Sequence, residues 1–193
     1  MLSFNCDLVE QPEYCSQSNS KMSKIFFTSD LHFSHANIIK YCGRPWSTVD
    51  EMDLALVERW NSAVSDEDDI YILGDVFLCP PVRAHLILDA LNGRKHLVLG
   101  NHDKTISGSM EMRRRFNILP PLYSTTLDGI KVVMCHFPLL SWEAQYYGSV
   151  MLHGHAHGKI PHDPAIRRLD VGVDAHGYAP VEWTQVKQVL SIQ

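Results

Sequence analysis

Five short segments of this 193-residue chain end in side chains suited to gripping a cation: Asp30-Leu31-His32, Gly74-Asp75, Asn101-His102-Asp103 after Gly100, the isolated His136, and His153-Gly154-His155-Ala156-His157. Each segment alone has an ordinary explanation. Asp after Gly, and Asn-His-Asp after Gly, are common turn residues, and a single His after a strand is usually a satisfied surface group. Five independent turns, however, have no reason to select only carboxylates, an amide and imidazoles. Asp30 and His32 stand two residues apart, as do His155 and His157. In extended backbone each pair would project to the same side and reach one small object. The chemistry such a set offers is metal binding and metal-assisted catalysis.

The elements that must deliver these groups are short apolar runs rich in β-formers. They are IFFTS (25–29), IYIL (70–73), HLVL (96–99), KVVMC (131–135) and SVML (149–152), each with the length of a buried strand. Every run leads directly into one of the five polar segments. In α/β sheets the carboxyl ends of parallel strands face the ligand crevice, so all five should empty into one region. Between the first two runs Thr48 and Glu51 form a capping-box pair. Val49, Met52, Leu56, Val57, Trp60 and Val64 then recur at helical spacing. A second helix is expected from Pro80-Pro81 to a C-cap at Gly93. A third is expected over about 109–117, and a last one in PVEWTQVKQVL. Strand–helix–strand units imply parallel pairing, and the closely spaced later strands imply antiparallel additions. The fold class is α/β with mixed sheets.

Composition narrows the function. The hydrophobic fraction of 45% is that of an ordinary globular protein. No apolar run approaches the roughly 20 residues that span a bilayer, and the N-terminus lacks the basic and apolar regions of a secretion signal. A cytoplasmic protein without a membrane partner is expected. The five cysteines form no CxxC pair and fit free thiols; Cys135, beside His136, reads as a buried thiol rather than a soft ligand. No GxSxG, GxGxxG or P-loop is present. The net charge is −5, and Arg113-Arg114-Arg115 reads as a solvated helix face, which argues against nucleic acid as a partner. Residues 1–22 read as a loosely ordered extension, with Met22 as an alternative start, and 23–193 as a single domain.

The ordered blocks DLH, GDV, GNHD, H and GHAH resemble the five-part signature of the calcineurin-like metallophosphoesterases. SDLHFSHANII, GRPW and VGVDAHGYAPV further resemble a compact bacterial and phage subgroup without a cap domain. The resemblance implies two mixed β-sheets packed as a sandwich flanked by helices, a four-layer α-β-β-α arrangement. It implies a dinuclear metal centre in which Asp30, His32 and His157 hold one ion, Asn101, His136 and His155 hold the other, and Asp75 bridges them. His102 would sit beside the phosphoryl group as the catalytic imidazole, with Asp103 orienting it. The cofactors would be two divalent ions, Mn foremost, with Fe, Ni, Co or Zn as substitutes, because nitrogen and oxygen donors without thiolate disfavour Ca. The expected reaction is hydrolysis of a small phosphomonoester or phosphodiester, a nucleotide among the candidates, by a hydroxide shared between the ions.

Substrate contacts are expected from Arg44, through its forked guanidinium, and from His35. Phe77, Trp142, Tyr146 and Tyr147 are candidates for stacking a base. His153 lies outside the ligand set and is expected to support or wall the site. The competing readings are a nuclease and a non-catalytic protein-binding scaffold on the same fold. Complete ligands together with the His102 imidazole favour the enzyme.

Overall fold

Thr48 caps the longest helix as its sequence requires: its hydroxyl accepts the Glu51 N–H, and the Glu51 carboxylate accepts the Thr48 N–H in return. This helix belongs to a computed structural model that describes residues 22–192. In chain order the elements are β1 (Ile25–Thr28), α1 (Ala36–Cys42), α2 (Val49–Ala63), β2 (Asp69–Ile72), α3 (Pro81–Asp89), β3 (Arg94–Val98), α4 (Lys104–Ser107) and α5 (Met110–Arg113). They continue with β4 (Asn117–Leu119), β5 (Leu122–Leu127), β6 (Ile130–Cys135), β7 (Val150–His153), β8 (Arg168–Asp170), β9 (Val181–Glu182) and α6 (Trp183–Val189).

Two mixed sheets flanked by helices result. The first has the order β4-β3-β2-β1-β9, with β9 antiparallel to β1 and the other pairs parallel. The second has the order β5-β6-β7-β8, antiparallel at β5–β6 and parallel elsewhere. Strand alternation explains the layering. Phe26, Ile72 and Leu97 point into one core with Met52, Leu56 and Trp60 of α2. Their neighbours Phe27, Leu73 and Val98 point into a second core with Val132, Met134, Val150 and Leu152 of the other sheet. The first sheet is therefore buried on both faces, as its continuous apolar runs require.

The site depends on the carboxyl ends of β1, β2, β3, β6 and β7. Backbone pairing continues past the strands there: Asp30 and His32 donate to the carbonyls of Gly74 and Asp75, both at 3.0 Å, and Gly154 donates to the His136 carbonyl at 3.0 Å.

Several elements differ from expectation. The helix expected over 109–117 is a single turn, α5, because Asn117 to Leu119 pair with His96 to Val98 as a further strand. Helix α3 stops at Asp89, and Gly93 instead makes a left-handed turn into β3, at φ 86°. The extension expected over 1–22 lies, apart from an exposed Met22, outside the described residues. Cys42, Cys79 and Cys135 are free thiols, and among the described residues no helix is long and apolar enough to cross a membrane.

Candidate metal centre

Five of the seven candidate ligands stand on strained backbone. Asp30, His32, Asp75, His155 and His157 all have positive φ, between 50° and 66°. Residues with a Cβ rarely adopt this region, and holding them there costs about 1–3 kcal/mol each. The Asp30/His32 and His155/His157 pairs are thus not presented from extended backbone, as spacing alone suggested. Each pair sits in a tight coil beyond its strand, which turns the side chains inward.

Those side chains converge. Asp75 Oδ2 lies 3.6 Å from His32 Nε2 and 3.6 Å from His136 Nε2. Asp30 Oδ1 lies 4.0 Å from both His32 Nε2 and His157 Nε2. Donor atoms of Asp30, His32 and His157 fall within 4.8 Å of one another, as do those of Asp30, Asp75 and His136. The His155 ring packs 5.1 Å from that of His136, and Asn101 Oδ1 is 2.9 Å from His136 Nε2. Asp30, His32, Asp75 and His136 are buried, whereas His155, Asn101 and His102 are exposed at the mouth.

This arrangement fits divalent metal ions. Asp30 Oδ1 and both ring nitrogens of His32 are buried without a hydrogen-bond partner. Buried polar atoms are rarely left so, at about 1–3 kcal/mol each. The other Asp30 oxygen, Oδ2, accepts the His155 backbone N–H at 2.8 Å, leaving Oδ1 free for a cation. His136 Nδ1 is 2.7 Å from the Leu73 carbonyl. A carbonyl only accepts, so the proton sits on Nδ1 and Nε2 offers a lone pair to the site. Nε2 and Asn101 Oδ1 then aim lone pairs at the same point, which a cation reconciles.

Burial sets the electrostatics. It raises the Asp30 carboxyl to about 6, against the opposing pull of His157 and His136. It lowers His32 to about 2, assisted by the nearby charges of His157 and Arg44. His35 and His155 are lowered for the same reason. His157 moves the other way: burial would lower it, but the Asp174 hydrogen bond and the Asp30 charge prevail. Imidazoles that stay neutral are ready ligands.

Close approach explains three glycines. A Cβ on Gly154 would overlap Ser29 Oγ and lie 2.5 Å from Asp30 Oδ2. One on Gly100 would overlap Asp75 Oδ1, and one on Gly74 would lie 2.6 Å from Gly100 Cα and 2.7 Å from His136 Nδ1.

Two expected roles are corrected. Arg44 does not reach the cavity: it is 4% exposed, paired in two places with Asp174, and bonded to the Asp30 and Leu31 carbonyls. A guanidinium so enclosed has no donor to offer a substrate phosphate. Asp103 does not orient His102. Its buried carboxylate accepts the backbone N–H groups of Asp75, Val76 and Gly100 at 2.9, 2.8 and 2.7 Å. It shapes the loops and makes no hydrogen bond to the His102 ring among the described residues. His102 is placed instead by its own N–H, which donates to Asp75 Oδ1 at 2.8 Å.

A cavity of about 530 Å³ opens over the cluster, lined by His32, Asp75, His155 and His157 on the floor and by His35, His102, Ile38, Tyr41, Cys42 and Lys159 around them. Of these, sequence reasoning missed Ile38, Tyr41, Cys42 and Lys159, as it missed Asp174. The aromatics proposed for stacking lie elsewhere. Phe77 is core, stacked on Phe33, Trp142 bonds Ser149, and Tyr146 and Tyr147 are fully solvated. His153 is buried against the Gly154 carbonyl and His176 bonds the Asp170 carbonyl; both face a separate cavity of about 230 Å³. Cys135 joins none of the three groups of neighbouring donors found among the described residues, the third being Cys42, His157 and Asp174.

Comparison with known proteins places the chain among relatives of similar length. The chain is 36% identical over 176 residues to an uncharacterized protein of Methanocaldococcus jannaschii, covering 88% of this chain and 92% of that one. It is 34% identical to the Gene 66 protein of Mycobacterium phage D29, covering 88% and 97%. The crystal structure of a protein of unknown function from Aquifex aeolicus shares the fold, with a TM-score of 0.68, 21% identity, and coverage of 86% and 99%. The model of the calcineurin-like phosphoesterases matches residues 23–170, a span that contains every candidate ligand. The chain belongs to the calcineurin-like phosphoesterase family.

Proposed function

We propose that this protein is a hydrolase of small phosphoesters, monoester or diester and nucleotides among them, that works with two divalent cations. The observation that carries the reading is Asp75 Oδ2, 3.6 Å from imidazoles contributed by the two different sheets. Asp30, His32 and His157 would hold one ion, Asn101, His136 and His155 the second, and the Asp75 carboxylate would serve both. The nitrogen and oxygen donors suit Mn, Fe, Ni, Co or Zn. When bound, such a pair supplies an activated water and neutralises the phosphoryl oxygens. Two carboxylates offset about half the charge of two divalent ions, and the remainder attracts an anionic phosphate into an otherwise acidic protein.

The chain's own residues complete the site. His102 stands at the mouth, its ring 5.6 Å from that of His32, where it can donate a proton to a leaving oxygen or steady the developing charge. His35 lies on the same side, 5.4 Å from His32. Lys159 also lines the cavity, where its ammonium would meet a second phosphate, and Ile38 and Tyr41 would offer an apolar wall to the organic part. The cavity is of a size that takes small ligands.

A protein-binding scaffold explains this poorly, since it needs neither unpartnered buried donors nor five strained residues. A nuclease would lean on a basic surface, which a net charge of −5 does not supply. The test is hydrolysis of p-nitrophenyl phosphate and bis-p-nitrophenyl phosphate with Mn²⁺, with activity abolished by chelator and restored by metal. No turnover of either ester or of a nucleotide panel, at full metal occupancy, would overturn the reading.

A further inference from the structure

Arg44 and Asp174 are 130 residues apart in sequence and form a buried, two-pronged ion pair beneath the metal centre: Nε to Oδ1 and Nη2 to Oδ2, both at 2.9 Å. Their side chains are 0% and 6% exposed. Replacing two buried charges by apolar groups is often neutral or stabilising, so the pair asks for another explanation. Three contacts supply one. Asp174 Oδ2 also faces His157 Nδ1 at 2.7 Å. Arg44 Nη2 donates to the Asp30 carbonyl at 2.7 Å, and Nη1 to the Leu31 carbonyl at 2.9 Å. Asp174 is itself anchored, because the adjacent Val173 N–H donates to the Ser29 carbonyl at 3.0 Å. One guanidinium and one carboxylate thus touch the segments carrying Asp30, His32 and His157, the three donors expected to hold the same ion.

A different use of this cluster can be weighed. Cys42 Sγ, a His157 ring nitrogen and an Asp174 oxygen also lie within 4.8 Å of one another. A third cation there would sit against the Arg44 guanidinium, and both Asp174 oxygens are already engaged by it. Charge and geometry both favour a supporting role.

We propose that Asp174, clamped by Arg44, is the positioning residue for the ligand His157, and that Arg44 at the same time fixes the strained turn bearing Asp30 and His32. The inference rests on the reading of His157 as a metal ligand. A carboxylate accepts only, so it holds the His157 proton on Nδ1 and turns Nε2 toward the ion. The Leu73 carbonyl does the same for His136, which follows the neighbouring strand β6 of the same sheet.

The experiment is calorimetric titration of the chelated full-length protein with Mn²⁺, for the wild type, Asp174→Asn and Arg44→Lys. The wild type should take up two equivalents. Asp174→Asn, which keeps the shape and removes the charge, should weaken one step by 10–100-fold and leave the other within about threefold. Arg44→Lys, which cannot hold both prongs and both carbonyls, should weaken the same step. Unchanged affinity, an equal loss in both steps, or a third equivalent that disappears with Cys42→Ser would overturn the proposal. No uptake by the wild type would instead sink the ligand reading beneath it. If the variants fail to fold, the wild type still decides. With ¹⁵N-labelled histidine and ¹¹³Cd²⁺, His157 should keep a protonated Nδ1 and show cadmium coupling at Nε2, and coupling at Nδ1 would overturn the assignment.

Discussion

The Asp103 carboxylate accepts the backbone N–H of Asp75 at 2.9 Å, tying the loop after β3 to the residue that stands between the two imidazole groups. The same carboxylate takes the N–H groups of Val76 and Gly100. Removing it leaves three buried or half-buried donors without acceptors. Asp103→Ala should therefore destabilise the chelated protein by about 3 kcal/mol, read as a lower urea midpoint with an unchanged slope. An Asp103 that served only to orient His102 would slow turnover and leave the metal-free protein as stable as before.

Gly100 and Gly154 leave room that the site itself occupies. A methyl group at either position would push into Asp75 or into Asp30 and Ser29, all held by buried backbone. Gly100→Ala and Gly154→Ala should each lose at least 1–3 kcal/mol through overpacking and should fail to take up metal at micromolar Mn²⁺. The control is Gly129→Asn in the β5–β6 turn. An added Cβ there meets open space, and Asn tolerates the positive φ. Equal metal uptake by all three variants would show that the close packing does not shape the ligand set.

Much of this was legible in the sequence. Strand-length apolar runs ending in polar blocks located β1, β2, β3, β6 and β7 and the turns that bring Asp30, His32, Asp75, His136 and His157 within reach of one another, because a period-2 core and a polar crevice leave a sharp boundary between them. The backbone carrying the ligands was misread: alternation suggested extended pairs, whereas the protein holds them in left-handed coils, a region Asp and His enter more often than other side-chain-bearing residues but that no periodicity announces. Arg44 was misplaced because GRPW looks like an exposed turn. Its partner Asp174 is 130 residues away, and no local signal links the two. Tyr41 and Lys159 became visible only when α1 and the loop after β7 were brought to one cavity. Strands β4, β8 and β9 are two or three residues long, too short for periodicity and fixed by pairing alone.

Metal uptake should be steeply dependent on acid. Burial raises Asp30 to about 6 in the metal-free protein, above its ordinary 3.8. The stabilisation this gives is complete below about pH 4 and lost as the pH rises through 6. His32, lowered to about 2 from 6.5, has the opposite sign. Its contribution is present above 6.5 and lost as the pH falls, so the two largely offset one another in a thermal melt between pH 4 and 6. Metal binding does not offset them. His32 is already neutral, whereas Asp30, and His157 with its upward shift, must release protons. Affinity should fall by about tenfold or more per unit below pH 6. Competition against a fluorescent chelator at pH 5, 5.5 and 7.5 reads this directly, and a flat affinity between 5 and 6 would show that Asp30 does not ligate.

His102 and Asp75 separate chemistry from binding. The His102 ring lines the open side of the cavity, while only its backbone N–H is engaged with Asp75. His102→Gln should therefore keep both metal equivalents and its melting temperature while lowering kcat by about 10²–10⁴-fold, with the larger loss on esters whose leaving groups need a proton. p-Nitrophenolate leaves without one, so the deficit should shrink on p-nitrophenyl esters and widen on alkyl phosphates. Asp75→Asn should behave in the reverse manner, weakening both metal steps at once because one carboxylate oxygen faces both imidazole groups. Equal deficits for His102→Gln on the two leaving-group classes would assign the imidazole to charge stabilisation rather than proton donation. Full metal occupancy in Asp75→Asn would remove the bridging role from Asp75.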